Sequence, residues 1–291
     1  MSVAVARLDA ELVRRGLARS RSRAAELVSA GRVHIGTSVA TKPSQAVAAD
    51  TPLDVAERPE ERVYVSRAAH KLLGALDALT GLAGHGPAIE GARCLDAGAS
   101  TGGFTQVLLE RGAAHVDAVD VGHGQIAPEV AADVRVTVHE GVNVRDLPAD
   151  LGSADLVVAD LSFISLTLVM PALVAATAPQ GELLLMVKPQ FEVGRERLGA
   201  SGVVSSDELR VEAVLKVAAA ATAAGAAVLA VVPSPLPGPA GNREYFLWLR
   251  PLGGEGATSS GGHPGDQLAD AVGRAVRGDE AVVLGERAVR P

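Results

Sequence analysis

The chain has 291 residues, 48% hydrophobic and 21% charged, with only 2% aromatic, so Ala, Val and Leu must build its core. One cysteine, Cys94, excludes a disulfide framework within the chain and points to a reducing cytoplasm; the Arg-rich start shows no signal-peptide core. A net charge of −7 argues against a nucleic-acid partner until it is divided: residues 1–45 hold 8 Lys and Arg against 3 Asp and Glu, a net of +5, leaving −12 for the remainder.

Within residues 7–35, Leu8, Leu12 and Val13 form an apolar stripe and Gly16 ends a first helix. Ser20 or Ser22 caps a second helix through Leu27 and Val28, which Gly31 terminates; a strand at Arg32–Ile35 follows. Arg14, Arg15, Arg19, Arg21 and Arg23 lie on or between these helices. Such a cationic face suits a phosphate backbone, and taken alone it equally describes a solvated helix surface. Residues 57–65 read as a charged, Pro-containing connector. SRAAHKLLGALDAL is then a helix with Ser66 as candidate N-cap, Leu72, Leu73, Leu76 and Leu79 on its apolar side, and Lys71 near its start.

Arg93–Thr105, RCLDAGASTGGFT, is a strand, a glycine-rich turn and a helix start in that order. Glycines permit close approach to a ligand, and free N–H groups at the helix start favour a polar or anionic group. The spacing lacks G-x-G-x-x-G and G-K-[ST]. A carboxylate at Asp96 repels a pyrophosphate but suits an ammonium or sulfonium, and S-adenosylmethionine carries both. Strands are expected at Arg93–Asp96, Val116–Val121, Val134–Val138, Leu156–Asp160, Leu183–Val187, Val228–Val232 and Tyr245–Leu249, with helices such as Thr105–Arg111 and Asp207–Ala224 between them. That alternation predicts an α/β doubly wound sheet whose ligand crevice lies at the carboxyl ends of its strands. SPLPGPAGNRE is too rich in Pro and Gly for a helix, so the last strand pairs antiparallel as a hairpin partner. Val214–Val232 is long enough to tempt a membrane reading, but Lys216 and the break at Gly225 favour a helix followed by a buried strand. Residues 251–291 read as a flexible tail with a possible short helix and no assigned chemistry.

If the polar residues ending the strands point into the crevice, the set is Asp96, Asp120, Asp160 and Lys188, with Glu244 beside the last strand. Asp120 is placed to accept the ribose hydroxyls of an adenosine, and Asp146 to border its adenine. Lys71, Asp160, Lys188 and Glu244 suit alkylation of a hydroxyl: a ribose 2′-OH must lose its proton as it attacks a methyl carbon. A lysine can accept that proton once a neighbouring cation and partial burial favour its neutral form, which the carboxylates oppose. The chain lacks an N-P-P-Y-like segment after its fourth strand, and Cys94 sits in the core, so neither amine nor carbon-five methylation is favoured.

Two resemblances follow from these residues. RLDAELVRRGLARSRSRAAELVSAGRVHI, with Lys42 and a strand near Leu53–Val55, resembles the small RNA-binding module of ribosomal protein S-four over residues 5–60. It implies that Arg7, Arg19, Arg21 and Lys42 contact structured RNA through phosphates and shape. DAGASTGGFT, VVADLSFIS, LLLMVKPQFEVG and GNREYFLWLR resemble the FtsJ-type ribose 2′-O-methyltransferases, whose Lys-Asp-Lys-Glu tetrad is matched by Lys71, Asp160, Lys188 and Glu244. The whole combination is similar to the TlyA family of rRNA (cytidine-2′-O)-methyltransferases. The resemblance implies a class I methyltransferase sheet, parallel with one antiparallel strand, over 93–250, and a connector and leading helix over 61–92. The cofactor it implies is S-adenosylmethionine, held by Asp96, Gly98, Ser100, Thr101, Gly102, Gly103, Phe104, Asp120 and Asp146. It further implies an rRNA partner within ribosomal subunits; no metal, no stable membrane association and a cytoplasmic setting are expected, and the oligomeric state is left open, a monomer included. The alternatives are a membrane-active haemolysin, a name some family members carry, and a non-catalytic ribosome assembly factor.

Overall fold

The computed structural model describes residues 5–56, 63–84, 86–148, 151–199, 201–253, 264–278 and 280–284. The connector at 57–62 and the tail stretches 254–263 and 285–291 lie outside the described residues. Two units divide between Val63 and Tyr64.

The first unit runs β1 (Val5–Arg7), α1 (Leu8–Arg14), α2 (Arg21–Ser29), β2 (Val33–Ile35), β3 (Ser38–Val39), β4 (Ala46–Ala48) and β5 (Leu53–Val55). Leu8, Leu12, Leu27, Val28 and Val33 form its core. Gly16, at φ +72°, lets the chain leave α1 as expected. Ser20, not Ser22, caps α2, its hydroxyl accepting the Arg23 N–H at 3.1 Å. β1 pairs with β4, and β2 lies between β3 and β5, all antiparallel. β1, β3 and β4 have only two or three residues, too few for an alternating pattern to declare them.

In the second unit, α3 (Ala68–Ala83) leads into β6 (Arg93–Ala97), α4 (Gly103–Glu110), β7 (His115–Asp120), α5 (Pro128–Ala131) and β8 (Val136–Glu140). After the reversal come β9 (Ala154–Ala159), α6 (Leu166–Ala175), β10 (Thr177–Val187), α7 (Pro189–Glu192), α8 (Asp207–Ala223), β11 (Ala226–Pro233) and β12 (Tyr245–Pro251). One sheet holds these strands in the order β11-β12-β10-β9-β6-β7-β8. β8, β7, β6, β9 and β10 are mutually parallel, whereas β12 lies antiparallel between β10 and β11. β12 is therefore inserted into the sheet rather than added at its edge. Parallel strands buried on both faces read as continuous apolar runs, which is why their cores are visible in the sequence.

Val214–Val232 resolves into the end of α8 and the start of β11, with Gly225 at φ +85° between them. No helix among the described residues is long and apolar enough to cross a membrane. The possible short helix of the tail is present, and it is packed rather than free. α9 (Pro264–Gly278) buries Ala271, Val272, Ala275 and Val276 in the core, and β13 (Val282–Val283) pairs antiparallel with β11. The apolar stripe of α9 meets α8, which a composition argument could not see. The expected cap at Ser66 is corrected: α3 starts at Ala68 after Arg67, and no side chain caps it. The Ala69 and His70 N–H groups are taken by the carbonyls of Ser66 and Arg67, so the Ser66 hydroxyl is not needed there.

Candidate active site

The strand order reverses between β6 and β9, which is where an open α/β sheet forms its crevice. A cleft of about 250 Å³ opens there. Of the expected residues it brings together Lys71, Gly98, Ser100, Thr101, Gly103, Phe104, Asp160 and Lys188; Ser66, Arg67 and Ser162 join them.

Two ion pairs organise its floor. Lys71, on the first turns of α3, pairs with Glu244, both side chains being almost fully buried. Glu244 reaches α3 because the Pro-rich loop before β12 packs tightly on it: a Cβ at Gly74 would lie 2.5 Å from Pro235 Cγ. The second pair joins Lys188, which follows β10, to Asp160, which follows β9. Lys188 Nζ lies 2.6 Å from Asp160 Oδ1 and donates to the Ser162 hydroxyl at 2.8 Å. Ser162 was missed in the sequence because a serine in a short turn carries no distinguishing signal.

The glycine-rich turn supplies the other wall. Gly98 has φ +86°, and a Cβ there would stand 2.9 Å from Leu161 Cδ2 and 3.1 Å from the Asp160 carbonyl oxygen. Ser100 also has positive φ, at +48°, and its N–H donates to Asp120 Oδ2 at 2.8 Å. Asp120 Oδ1 accepts the Gly122 N–H at 2.7 Å, so the backbone fixes this half-buried carboxylate while each oxygen keeps a second lone pair. Gly102 lies behind the turn as the residue before α4, and Asp146 is exposed in the turn after β8.

Asp96 does not sit in the cleft wall. Alternation along β6 puts it on the face of Cys94, which α4 covers, and it is fully buried. Its Oδ2 accepts the Thr105 hydroxyl at 2.7 Å, while Oδ1 has no hydrogen-bond partner. Burial first, then the charges of Asp160 and Asp120, pushes its carboxyl up to about 7, against the pull of Thr105. Burial likewise pushes the Cys94 thiol up to about 12, which leaves it unreactive.

Beyond Ser162 the chain turns sharply. Phe163 holds φ +65°, costing of the order of 1–3 kcal/mol for a residue with a Cβ, and its ring is 92% exposed. It meets Phe191 at 5.4 Å, and Lys188 Nζ lies 5.9 Å from the Phe191 ring centre. An aromatic left in water beside the second ion pair is a feature the sequence reading passed over.

In the first unit, Arg7 and Arg21 converge on one buried carboxylate. Asp9 accepts from Arg7 Nε at 3.1 Å and from an Arg7 and an Arg21 terminal nitrogen at 3.0 Å each. These guanidinium groups, hydrogen-bonded most strongly from Arg7, hold the Asp9 carboxyl well below its usual range. Both arginine side chains remain more than half exposed, and Lys42 is exposed too. Among the described residues no group of three or more His, Cys, Asp or Glu is placed to hold a metal ion.

Comparison with known proteins agrees with this geometry. Residues 64–251 match the family described as FtsJ-like methyltransferase, and residues 6–51 match the S4 domain. The chain is 53% identical over 273 residues to the 16S/23S rRNA (cytidine-2′-O)-methyltransferase TlyA of Mycobacterium tuberculosis, covering 93% of this chain and 97% of that one. It is 32% identical to Hemolysin A of Brachyspira hyodysenteriae, covering 82% of this chain and 98% of that one. A solved structure of a hemolysin-named protein from Streptococcus thermophilus superposes with a TM-score of 0.66 at 33% identity, covering 94% of this chain and 96% of the other. The chain belongs to the FtsJ-like methyltransferase family and, within it, to the TlyA group.

Proposed function

We propose that this protein transfers a methyl group from S-adenosylmethionine to the ribose 2′-oxygen of a cytidine in ribosomal RNA, in the cytoplasm, and that its first unit docks on that RNA. The carrying observation is the convergence of Lys71–Glu244 and Lys188–Asp160 on one cleft, facing a glycine turn. The TlyA relative, at 53% identity, supplies the substrate assignment.

The cofactor fits the residues present. Gly98, where a Cβ would collide with Leu161 and the Asp160 carbonyl, lets the turn close tightly on the end of β9, and the buried Asp96 has an unpartnered oxygen and a carboxyl that a nearby cation would return to its ionised form. Asp96, Gly98, Ser100, Thr101, Gly102, Gly103, Phe104, Asp120 and Asp146 make up the proposed cofactor site, and S-adenosylmethionine would supply an electrophilic sulfonium methyl there. Asp120 is fixed to accept ribose hydroxyls.

Lys188 is the proposed acceptor of the 2′-OH proton. Asp160 and Ser162 aim its nitrogen, leaving one further direction for the incoming hydroxyl. Lys71, held by Glu244, lines the same cleft and orients the attacking oxygen. Positioning of oxygen and methyl carbon in line supplies most of the remaining rate. Phe163, exposed at the rim, offers a face on which the target base can stack once it leaves its helix. Arg7, Arg19, Arg21 and Lys42 would take phosphates in the docking step.

The test is transfer of labelled methyl from S-adenosylmethionine to purified ribosomal subunits, mapped by resistance to alkaline cleavage. A new resistant position at a cytidine, lost in Lys188→Ala, supports the reading. Transfer without resistance would place the methyl on a base and overturn it. Hemolysin in the names of relatives is a label that no feature of the cleft requires.

A further inference from the structure

The turn after β9, with Asp160, Ser162 and Phe163, and the turn after β10, with Lys188 and Phe191, together build the second ion pair. Three ties cross between them. The first is Lys188 with Asp160 and Ser162; the second is the Phe163–Phe191 contact. The third is Glu192, which does not line the cleft. Its carboxylate is 3% exposed, with Oε2 accepting the Ser165 hydroxyl at 2.5 Å and Oε1 accepting the Leu166 N–H at 2.7 Å. Its carbonyl accepts from Lys216 Nζ at 2.7 Å, which ties α7 to α8.

A carboxylate this deeply buried is costly to keep, and α6 already has a cap, since the Ser165 hydroxyl accepts the Thr167 N–H at 3.2 Å. What Glu192 adds is a fixed distance between the two turns. The left-handed backbone at Phe163 persists only if both flanks are held. Lys188 holds the flank before it, through Ser162, and Glu192 holds the flank after it, through Ser165 and Leu166.

We propose that Glu192 is a positioning residue, which by clamping Ser165 and Leu166 fixes the Phe163 turn and so the placement of Asp160 and Ser162 on Lys188. The proposal rests on the reading of the site given under Proposed function. Its effect is expected on transfer more than on cofactor binding, because the Glu192 hydrogen bonds given above run to Ser165, Leu166 and Lys216 and none to the glycine turn.

The test compares the wild type with Glu192→Ala, Glu192→Gln and Ser165→Ala in the full chain. Three quantities are measured: kcat for methyl transfer to ribosomal subunits, Kd for S-adenosylhomocysteine, and hydrogen exchange at residues 161–168. Glu192→Ala should lower kcat about a hundredfold, the scale of an ångström-sized misplacement, with faster exchange confined to 161–168. Its Kd should stay within about threefold. Glu192→Gln keeps an acceptor for Leu166 and can donate to Ser165, so it should return kcat to within about threefold of wild type. A Glu192→Ala enzyme with unchanged kcat overturns the proposal. So does a Gln variant as impaired as the Ala variant. If Glu192→Ala fails to fold, Ser165→Ala decides: reduced kcat at unchanged Kd supports the clamp, and unchanged kcat overturns it. A wild type that transfers no methyl would instead overturn the underlying reading, and is told apart because failure of the clamp leaves the wild type active.

Discussion

Lys71 and Glu244, 173 residues apart in the chain, form an ion pair whose side chains are 5% and 0% exposed. The Lys188–Asp160 pair is wetter, at 10% and 16%. Removing one partner of a buried pair leaves the other charge unpaired and costs about 3–5 kcal/mol. Lys71→Ala should therefore lose both methyl transfer and stability, melting about 10 °C lower. Lys188→Ala should lose transfer while melting within about 3 °C of wild type. Differential scanning calorimetry alongside the transfer assay checks the split; equal melting losses would refute it.

Asp96 makes cofactor binding depend on pH. In the folded protein its carboxyl titrates at about 7, well above its ordinary value. The neutral form therefore contributes stability that is full below the unfolded value, near 4, and lost as pH rises through about 7. A cationic ligand favours the ionised form, so the affinity for S-adenosylmethionine should rise about tenfold between pH 6 and pH 8. Asp96→Asn should bind more weakly, show no such rise, and melt higher than the ligand-free wild type at pH 8. Isothermal titration at both pH values, with melts, tests each sign.

Gly98→Ala combines a left-handed backbone with a Cβ 3.1 Å from a main-chain oxygen that has little room to move. It should cost about 1–3 kcal/mol of stability. S-adenosylhomocysteine affinity should fall about tenfold or more, since the turn must shift where it meets the ligand. Calorimetric titration at 25 °C measures this directly, and an unchanged Kd would remove Gly98 from the site.

Asp9→Asn offers a counter-intuitive test of the first unit. It removes a negative charge, so long-range attraction alone would strengthen RNA binding. If Arg7 and Arg21 work as a pair held by Asp9, their release should weaken rRNA affinity about threefold to tenfold while the salt slope stays nearly the same. Filter binding across a salt series distinguishes the two.

How much of this was legible in the sequence depended on the range of the contacts involved. Runs such as Leu183–Val187 announce themselves because both faces of a parallel strand are buried, and Ser20 announces α2 because capping is local. α6 gave no clear signal: it is apolar almost all round and carries Pro171 inside. The tetrad residues were found by motif, but only the fold shows that Lys71 closes on Glu244 and Lys188 on Asp160. Asp96 was expected to line the crevice, and the period-two alternation of β6 buries it behind the glycine turn with one oxygen unpartnered. Glu192 and Ser162 were invisible for the same reason in reverse, since their meaning lies in partners about 26 residues away.

The insertion of β12 between β10 and β11 has a consequence for biosynthesis. As the chain leaves the ribosome, β10 and β11 are complete before residues 245–251 exist, so the strand that must lie between them arrives last. Until then their facing edges carry unpaired N–H and C=O groups, and Glu244 cannot reach Lys71. A chain that stops short of residue 244 therefore lacks the Lys71–Glu244 pair, and with it one half of the proposed catalytic centre.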